Sequence, residues 1–216
     1  MPEKPFNNIL VHGMILDLGK KKMSKSIGNI ISPEDIIKEY NRDFLRYYFA
    51  KTSKGEDFPF QDKELKEIQK TFIILSNTSK FINQLGKSKR SSKIEDKWII
   101  SEFNKAIKDA TEEYNNFNFP EVIRILEDFL VNKLSRKYIQ IIRERADETK
   151  EILEEVYLGI IKLLAPIIPF TTENIWQQLR EYDLVKEESI HLTDWPKPNS
   201  KLIDKKLEEN FQIALE

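Results

Sequence analysis

The chain has 216 residues, and its 33% of charged residues cancel to a net charge of −1, so no overall field draws it to nucleic acid or membrane and any such binding has to come from local patches. It has no cysteine and only two histidines, His12 and His191, far apart in sequence, which excludes a disulfide framework and a structural zinc site. Its longest apolar run, IIKLLAPIIPF, is too short to span a bilayer and is twice interrupted by proline, and no basic-then-apolar leader opens the chain, which therefore reads as soluble and cytoplasmic.

Residues 8–18, NILVHGMILDL, form a β-type run with Gly13 in its middle, which fits two short extended pieces. They lead into GKKKMSKSIGN, residues 19–29, where lysines and serines crowd between glycines. Lysine supplies a rotatable point charge, serine a short hydrogen bond, and glycine lets backbone N–H groups turn inward, a combination suited to phosphate. On charge alone a solvated lysine turn is the more ordinary explanation, since charge runs are usually solvated faces, so the order of the residues has to decide.

Ser32, Pro33 and the acids at 34 and 35 then predict a helix start with a serine cap and proline at the first position, and Ile36, Ile37 and Tyr40 follow on one face. That helix is expected to end at Asn41 in a left-handed conformation, and a second, apolar helix starts at Asp43. From about residue 55 long helices take over. Asp62 can cap a helix carrying Leu65, Ile68, Phe72, Leu75, Ile82 and Leu85 until Gly86 stops it, and the basic stretch 87–93, KSKRSSK, reads as a solvated linker.

The next helix carries Trp98, Phe103, Ile107, Ala110 and Tyr114, and NNFNFP turns the chain so that Pro120 opens a central helix over 122–142. Its later half brings Lys133, Arg136, Lys137 and Arg143 to a broad face, which is either an ordinary solvated surface or a set of phosphate contacts. A further helix over 148–165 is stopped by Pro166 and Pro169, and Thr171 or Thr172 is expected to cap one carrying Ile175, Trp176 and Leu179. Trp98 and Trp176 sit in apolar periodicity and read as core, and Trp195, beside Pro196, reads as closing the bundle. The short connections imply antiparallel neighbours.

The order of the lysine-loop residues resembles a known signature. Lys22, Met23, Ser24, Lys25 and Ser26 match at all five positions the K-M-S-K-S loop of class I aminoacyl-tRNA synthetases, and the loop lies between a β-type run and a capped helix. The likeness continues through Asp43-Phe44-Leu45-Arg46, similar to a D-A-L-R box, with Asn41 where the family commonly has glycine. It continues through LSRKYIQIIRER, LLAPIIPFTTENIWQQL and HLTDWP to nearly the end of the chain, and is greatest for the isoleucyl branch of class Ia.

The resemblance implies a mainly α fold: a helical bundle of the class Ia anticodon-binding type, preceded by a small α/β remnant of a Rossmann-type catalytic domain. It divides the chain into the end of the catalytic domain (1–56), the anticodon-binding bundle (57–196) and a C-terminal linker and helix (197–216). It also implies that the parent enzyme activates isoleucine with ATP, taken with Mg2+ as substrate, and transfers it to tRNA(Ile). Lys25 first and Lys22 second would supply cationic charge to the departing pyrophosphate, with Met23, Ser24 and Ser26 completing the ATP-binding loop, and Lys133, Arg136, Lys137 and Arg143 would meet tRNA; no metal ligands are assigned. The family's H-I-G-H signature needs two histidines three apart, which this sequence lacks, so the chain reads as the C-terminal part of a longer enzyme, inactive alone, with Met1 open as an added start. The valyl, leucyl and methionyl branches, and a non-catalytic helical RNA-binding module, are the alternatives.

Overall fold

A computed structural model describes residues 5–6, 8–86 and 91–214, so residues 87–90 of the basic linker lie outside it. Two short strands, β1 (Ile15–Leu16) and β2 (Phe58–Pro59), pair in parallel with Ile15 opposite Phe58. The crossover between them carries α1 (Pro33–Glu39) and α2 (Arg42–Thr52). Pairing at this register needs Gly13, because a Cβ there would lie 2.0 Å from the backbone carbonyl of Glu56. Next come α3 (Asp62–Gln84), α4 (Ile94–Asn115) and α5 (Phe119–Glu127), then α6 (Ile139–Ile141), α7 (Lys150–Leu164), α8 (Pro169–Glu181) and α9 (Lys205–Ala214). The chain is thus a mainly helical bundle following a small α/β piece.

Several boundaries differ from the sequence reading. Asn41 is extended (φ −157°) and does not end α1 in a left-handed turn; it caps α2 instead, its side-chain oxygen accepting from the Phe44 N–H at 3.0 Å. Asp62 is the first residue of α3, and the cap position belongs to Gln61. The helix over 122–142 is not α throughout: α5 runs into a π-helical stretch, Asp128–Tyr138, in which the Ile139 N–H reaches back five residues to the Leu134 carbonyl. Apolar spacing does not separate these two windings. At α8 neither threonine is the cap; Ile168 is, and Pro169 takes the first helical position, three or four residues earlier than expected.

The core lies where α4, α5, the π stretch and α7 meet. From Trp98 to Ala110 α4 is buried on most sides, with Ser101, Glu102 and Asn104 among its buried residues, and Phe103 packs so closely on α7 that a Cβ at Gly159 would come within 2.2 Å of its ring. Trp98 stacks on Phe211 of α9 at 4.5 Å, and Trp176 is buried with its indole N–H on the Glu187 carbonyl. At one end of the bundle Arg145 meets Glu95 and buried Asp96, whose carboxylate also accepts from the Tyr138 hydroxyl at 2.8 Å.

Helix α2 joins the two parts of the molecule. Arg46 donates to the carbonyls of Ile167 (2.8 Å) and Pro166 (3.0 Å), just after α7, while buried Asp43 accepts the Thr171 N–H at the start of α8 (2.5 Å). A cation therefore serves a helix C-terminus and an anion a helix N-terminus, in the sense each helix dipole favours. One turn further on, Lys51 binds Glu127 of α5 at 2.6 Å.

Candidate active-site loop and nucleic-acid interface

The loop leaves β1 through a tight turn in which the Lys20 N–H bonds the Asp17 carbonyl and Lys20 itself has φ 59°. Leu16 and Lys22 then form an antiparallel bridge, so the two ends of the turn lie side by side. Asp17 reads both sides: one carboxylate oxygen accepts the Lys21 N–H at 2.8 Å and the other the Asn29 amide at 2.7 Å. These bonds, the Lys21 backbone bond first, hold the Asp17 carboxyl below its ordinary 3.8.

Asn29 completes the brace. Its side-chain oxygen accepts the Ser24 N–H at 2.9 Å, and its amide also reaches the Lys22 carbonyl at 3.3 Å. Gly28, at φ 73°, turns the chain so that this side chain comes back across the loop. Met23 is half-buried, accepts the Ile31 N–H on its sulfur at 3.4 Å, and lines a pocket of about 500 Å³ with His12, Met14, Ile15, Phe49 and Phe58. The Ser24 and Ser26 hydroxyls lie 2.9 Å apart. Lys22 and Lys25 are exposed and form no ion pair among the described residues. The arrangement is a stiffened loop with two uncommitted cations and neighbouring hydroxyls at its edge, chemistry that suits a polyphosphate.

The sequence reading missed Asp17 and Asn29. Their only signal was an acid closing a β-type run and an asparagine directly after a glycine.

The four helical cations do not form one free stripe. Lys133, on the π stretch, is half-buried against Glu102 of α4 at 2.6 Å and also meets Asp128 at 3.5 Å. Lys137 donates to Gln212 of α9 at 2.8 Å. Arg136 lies on the side towards α3, exposed, with its guanidinium on Asn132. Arg143 is exposed in the 3₁₀ segment Arg143–Thr149, with no hydrogen bond or ion pair among the described residues. Trp195 donates to the Thr111 hydroxyl and stands edge-on to Tyr114, so it packs the bundle.

Residues 96–216 match the family model for the anticodon-binding domain of tRNA ligases, and residues 1–61 that for tRNA synthetases of class I (I, L, M and V). The chain belongs to the class I tRNA synthetases. Among curated relatives, the isoleucine–tRNA ligase of Methanosarcina mazei is 36% identical over 97% of this chain and 22% of its own length. The valine–tRNA ligase of Pyrococcus furiosus is 33% identical over 99% of this chain and 26% of its own length. This synthetase chain therefore spans about a fifth to a quarter of the relatives it matches. A solved LeuRS–tRNA–LeuAMS complex from Agrobacterium radiobacter K84 shares the fold, with TM-score 0.73 at 20% identity over 89% of this chain and 24% of that one. No helix among the synthetase's described residues is long and apolar enough to cross a membrane.

Proposed function

We propose that this chain is the part of an isoleucine–tRNA ligase that clamps the departing pyrophosphate and recognises the anticodon arm of tRNA(Ile), in the cytoplasm. The observation that carries the reading is the braced loop, with Lys22 and Lys25 uncommitted, fixed through α2 to a bundle of the anticodon-binding family. In this reading residues 1–56 close the catalytic domain, 57–196 form the bundle, with β2 returning to pair with β1, and 197–216 are the C-terminal linker and helix. The isoleucine assignment is supported by relatives such as those from Methanosarcina mazei and Methanosarcina barkeri, 36% and 34% identical.

The amino-acid carboxylate attacks the α-phosphate of ATP, which enters with Mg2+, and the bond to pyrophosphate breaks. Negative charge grows on the leaving oxygens, and Lys25, at the exposed part of the loop, reaches them as the bond lengthens. That interaction is stronger in the transition state than in the ground state, so it accelerates the chemistry. Lys22, one residue before half-buried Met23, is the more fixed of the two cations and contributes less differential stabilisation. Exposed Arg136 and Arg143 are the better placed of the four helical cations for tRNA, because Lys133 is held by Glu102 and Asp128 and Lys137 by Gln212.

In the full-length parent enzyme, Lys25→Ala slows isoleucine-dependent ATP–pyrophosphate exchange by about 10² to 10³ with little change in isoleucine affinity. Unchanged exchange removes Lys25 from the mechanism. A second reading, a valine–tRNA ligase, has support from relatives at 33% and 31% identity. The same assay run with valine separates the two.

A further inference from the structure

Residues 68–93 contain six lysines or arginines and not one acid, in a chain where 36 of 216 residues are acidic. Its described residues are 68–86, which include the larger part of α3, and 91–93, where Lys93 meets Glu148 at 3.8 Å; on α3 the pattern becomes a surface. Lys66, Lys70, Ile73, Asn77 and Lys80 recur at steps of four and three and are exposed, while Leu65, Ile68, Phe72, Leu75 and Ile82 face the core. The row spans about 20 Å at 1.5 Å per residue. Lys66, Lys70 and Lys80 form no ion pair or hydrogen bond among the described residues, unlike Lys51, Lys133 and Arg145, which are all committed to acids.

Beside this row lies a groove of about 430 Å³, with Lys70 and Ile74 of α3 on one side and Asn132 and Arg136 of the π stretch on the other. Two of its acids are already satisfied. Glu127 accepts from Lys51 and from the Thr71 hydroxyl, and Asp128 from Asn132 and Lys133, which leaves Glu67 as the acid in the groove without a partner among the described residues. The net field at this face is therefore positive although the chain as a whole is slightly negative.

We propose that the outer face of α3, with Arg136 across the groove, is the surface that holds the phosphate backbone of the tRNA. This rests on the function proposed above. Spaced, unpaired cations suit a polyanion whose charges are also spaced, and the neutral amides of Gln69, Asn77 and Gln84 add donors for phosphate and ribose oxygens without introducing repulsion. Base recognition is a separate task that this face does not perform.

The test is fluorescence anisotropy of a labelled, unmodified tRNA(Ile) transcript with the 216-residue chain between 50 and 200 mM KCl. The double variant Lys70→Ala/Lys80→Ala makes the log–log salt dependence shallower by roughly 1.4 to 1.8, at about 0.7 to 0.9 per phosphate contact. Lys70→Glu/Lys80→Glu weakens binding further, and Lys108→Glu, on exposed α4 surface, leaves the slope as it was. Both lysines are exposed and unpaired, so circular dichroism and melting are unchanged. If the unaltered chain binds and the glutamate pair changes neither affinity nor slope, this face is not the tRNA surface and the proposed function stands. Equal loss from Lys108→Glu, or displacement of the tRNA by polyglutamate at equal charge concentration, overturns the assignment of this face to RNA. Absence of binding at 50 mM KCl overturns both proposals.

Discussion

Asn29→Ala is the sharpest probe of the loop, because one side chain there makes three bonds and none of them supports the core. The bond from the Ser24 N–H is short at 2.9 Å and the one to the Lys22 carbonyl longer at 3.3 Å. Together they stabilise the braced loop by about 1–2 kcal/mol net. Their loss speeds hydrogen exchange at the Ser24 amide by roughly 5- to 30-fold, while the melting temperature of the chain stays where it was. Asn29→Asp sharpens the test. It keeps an acceptor for Ser24 but loses both donors and sets a second carboxylate where the Asn29 amide now meets Asp17 at 2.7 Å. Two carboxylates so close cannot both ionise easily, so at neutral pH the aspartate variant is no better braced than alanine, and it recovers on acidification, already above the ordinary carboxylate range, as the pair takes up one shared proton. Amide exchange followed by NMR reads both effects. Wild-type exchange at Ser24 in Asn29→Ala, or in Asn29→Asp at pH 7, refutes the brace.

Three further outcomes follow from the packing. Gly159→Ala forces the Phe103 ring, 2.2 Å from the new Cβ, out of a closed core, and lowers stability in urea by about 1–3 kcal/mol with an unchanged m-value. Arg46→Met removes two charge-assisted bonds to the Pro166 and Ile167 carbonyls, costs about 1–3 kcal/mol, and exposes the Thr171 amide to faster exchange. Burial works against ionisation of Asp96, yet bonds from Arg145, Ser91, Tyr138 and the Lys93 N–H outweigh it and hold this carboxyl below 3.8. A depressed folded value means that its stabilisation is present above pH 4 and is lost as pH falls through the folded value, so the melting temperature drops steeply below pH 4 in the wild type and more gently in Asp96→Asn.

How much of this was readable depended on how far apart the partners lie in sequence. Pro33 and Pro120 marked helix starts because a proline ring acts on its own turn, although Pro120 is the second residue of α5, after Phe119, and not the first as expected. The family was readable from residues 22–26 because that signature is contiguous. Asn41 was misjudged because the same residue type favours a left-handed helix end and a helix start; with only Tyr40 and Asn41 between α1 and α2, the second use prevails. The cap of α8 could not be read locally, since the group that accepts its Thr171 N–H is Asp43, 128 residues away. The same holds for Lys133, which looked free on its own helix until α4 brought Glu102 to it, and for the Asp17–Asn29 pair, which lacks any pattern of residue types. The basic linker expected over 87–93 is described only from Ser91 onward.

The grip of α2 on the α7–α8 turn bears on where this polypeptide can be cut. The two matched family models leave a gap after residue 61, which looks like a convenient place to separate a loop-bearing fragment from a bundle. Cutting there would strand Asp43 and Arg46 on one piece and the backbone groups they serve on the other, and it would strip Phe72 from Tyr47, which is almost wholly enclosed in the intact chain. Each piece would carry an uncompensated polar deficit and a newly wetted aromatic face. The seam visible in sequence comparison is thus a border of descent, and the mechanical unit runs across it, from the turn after β1 to the start of α8.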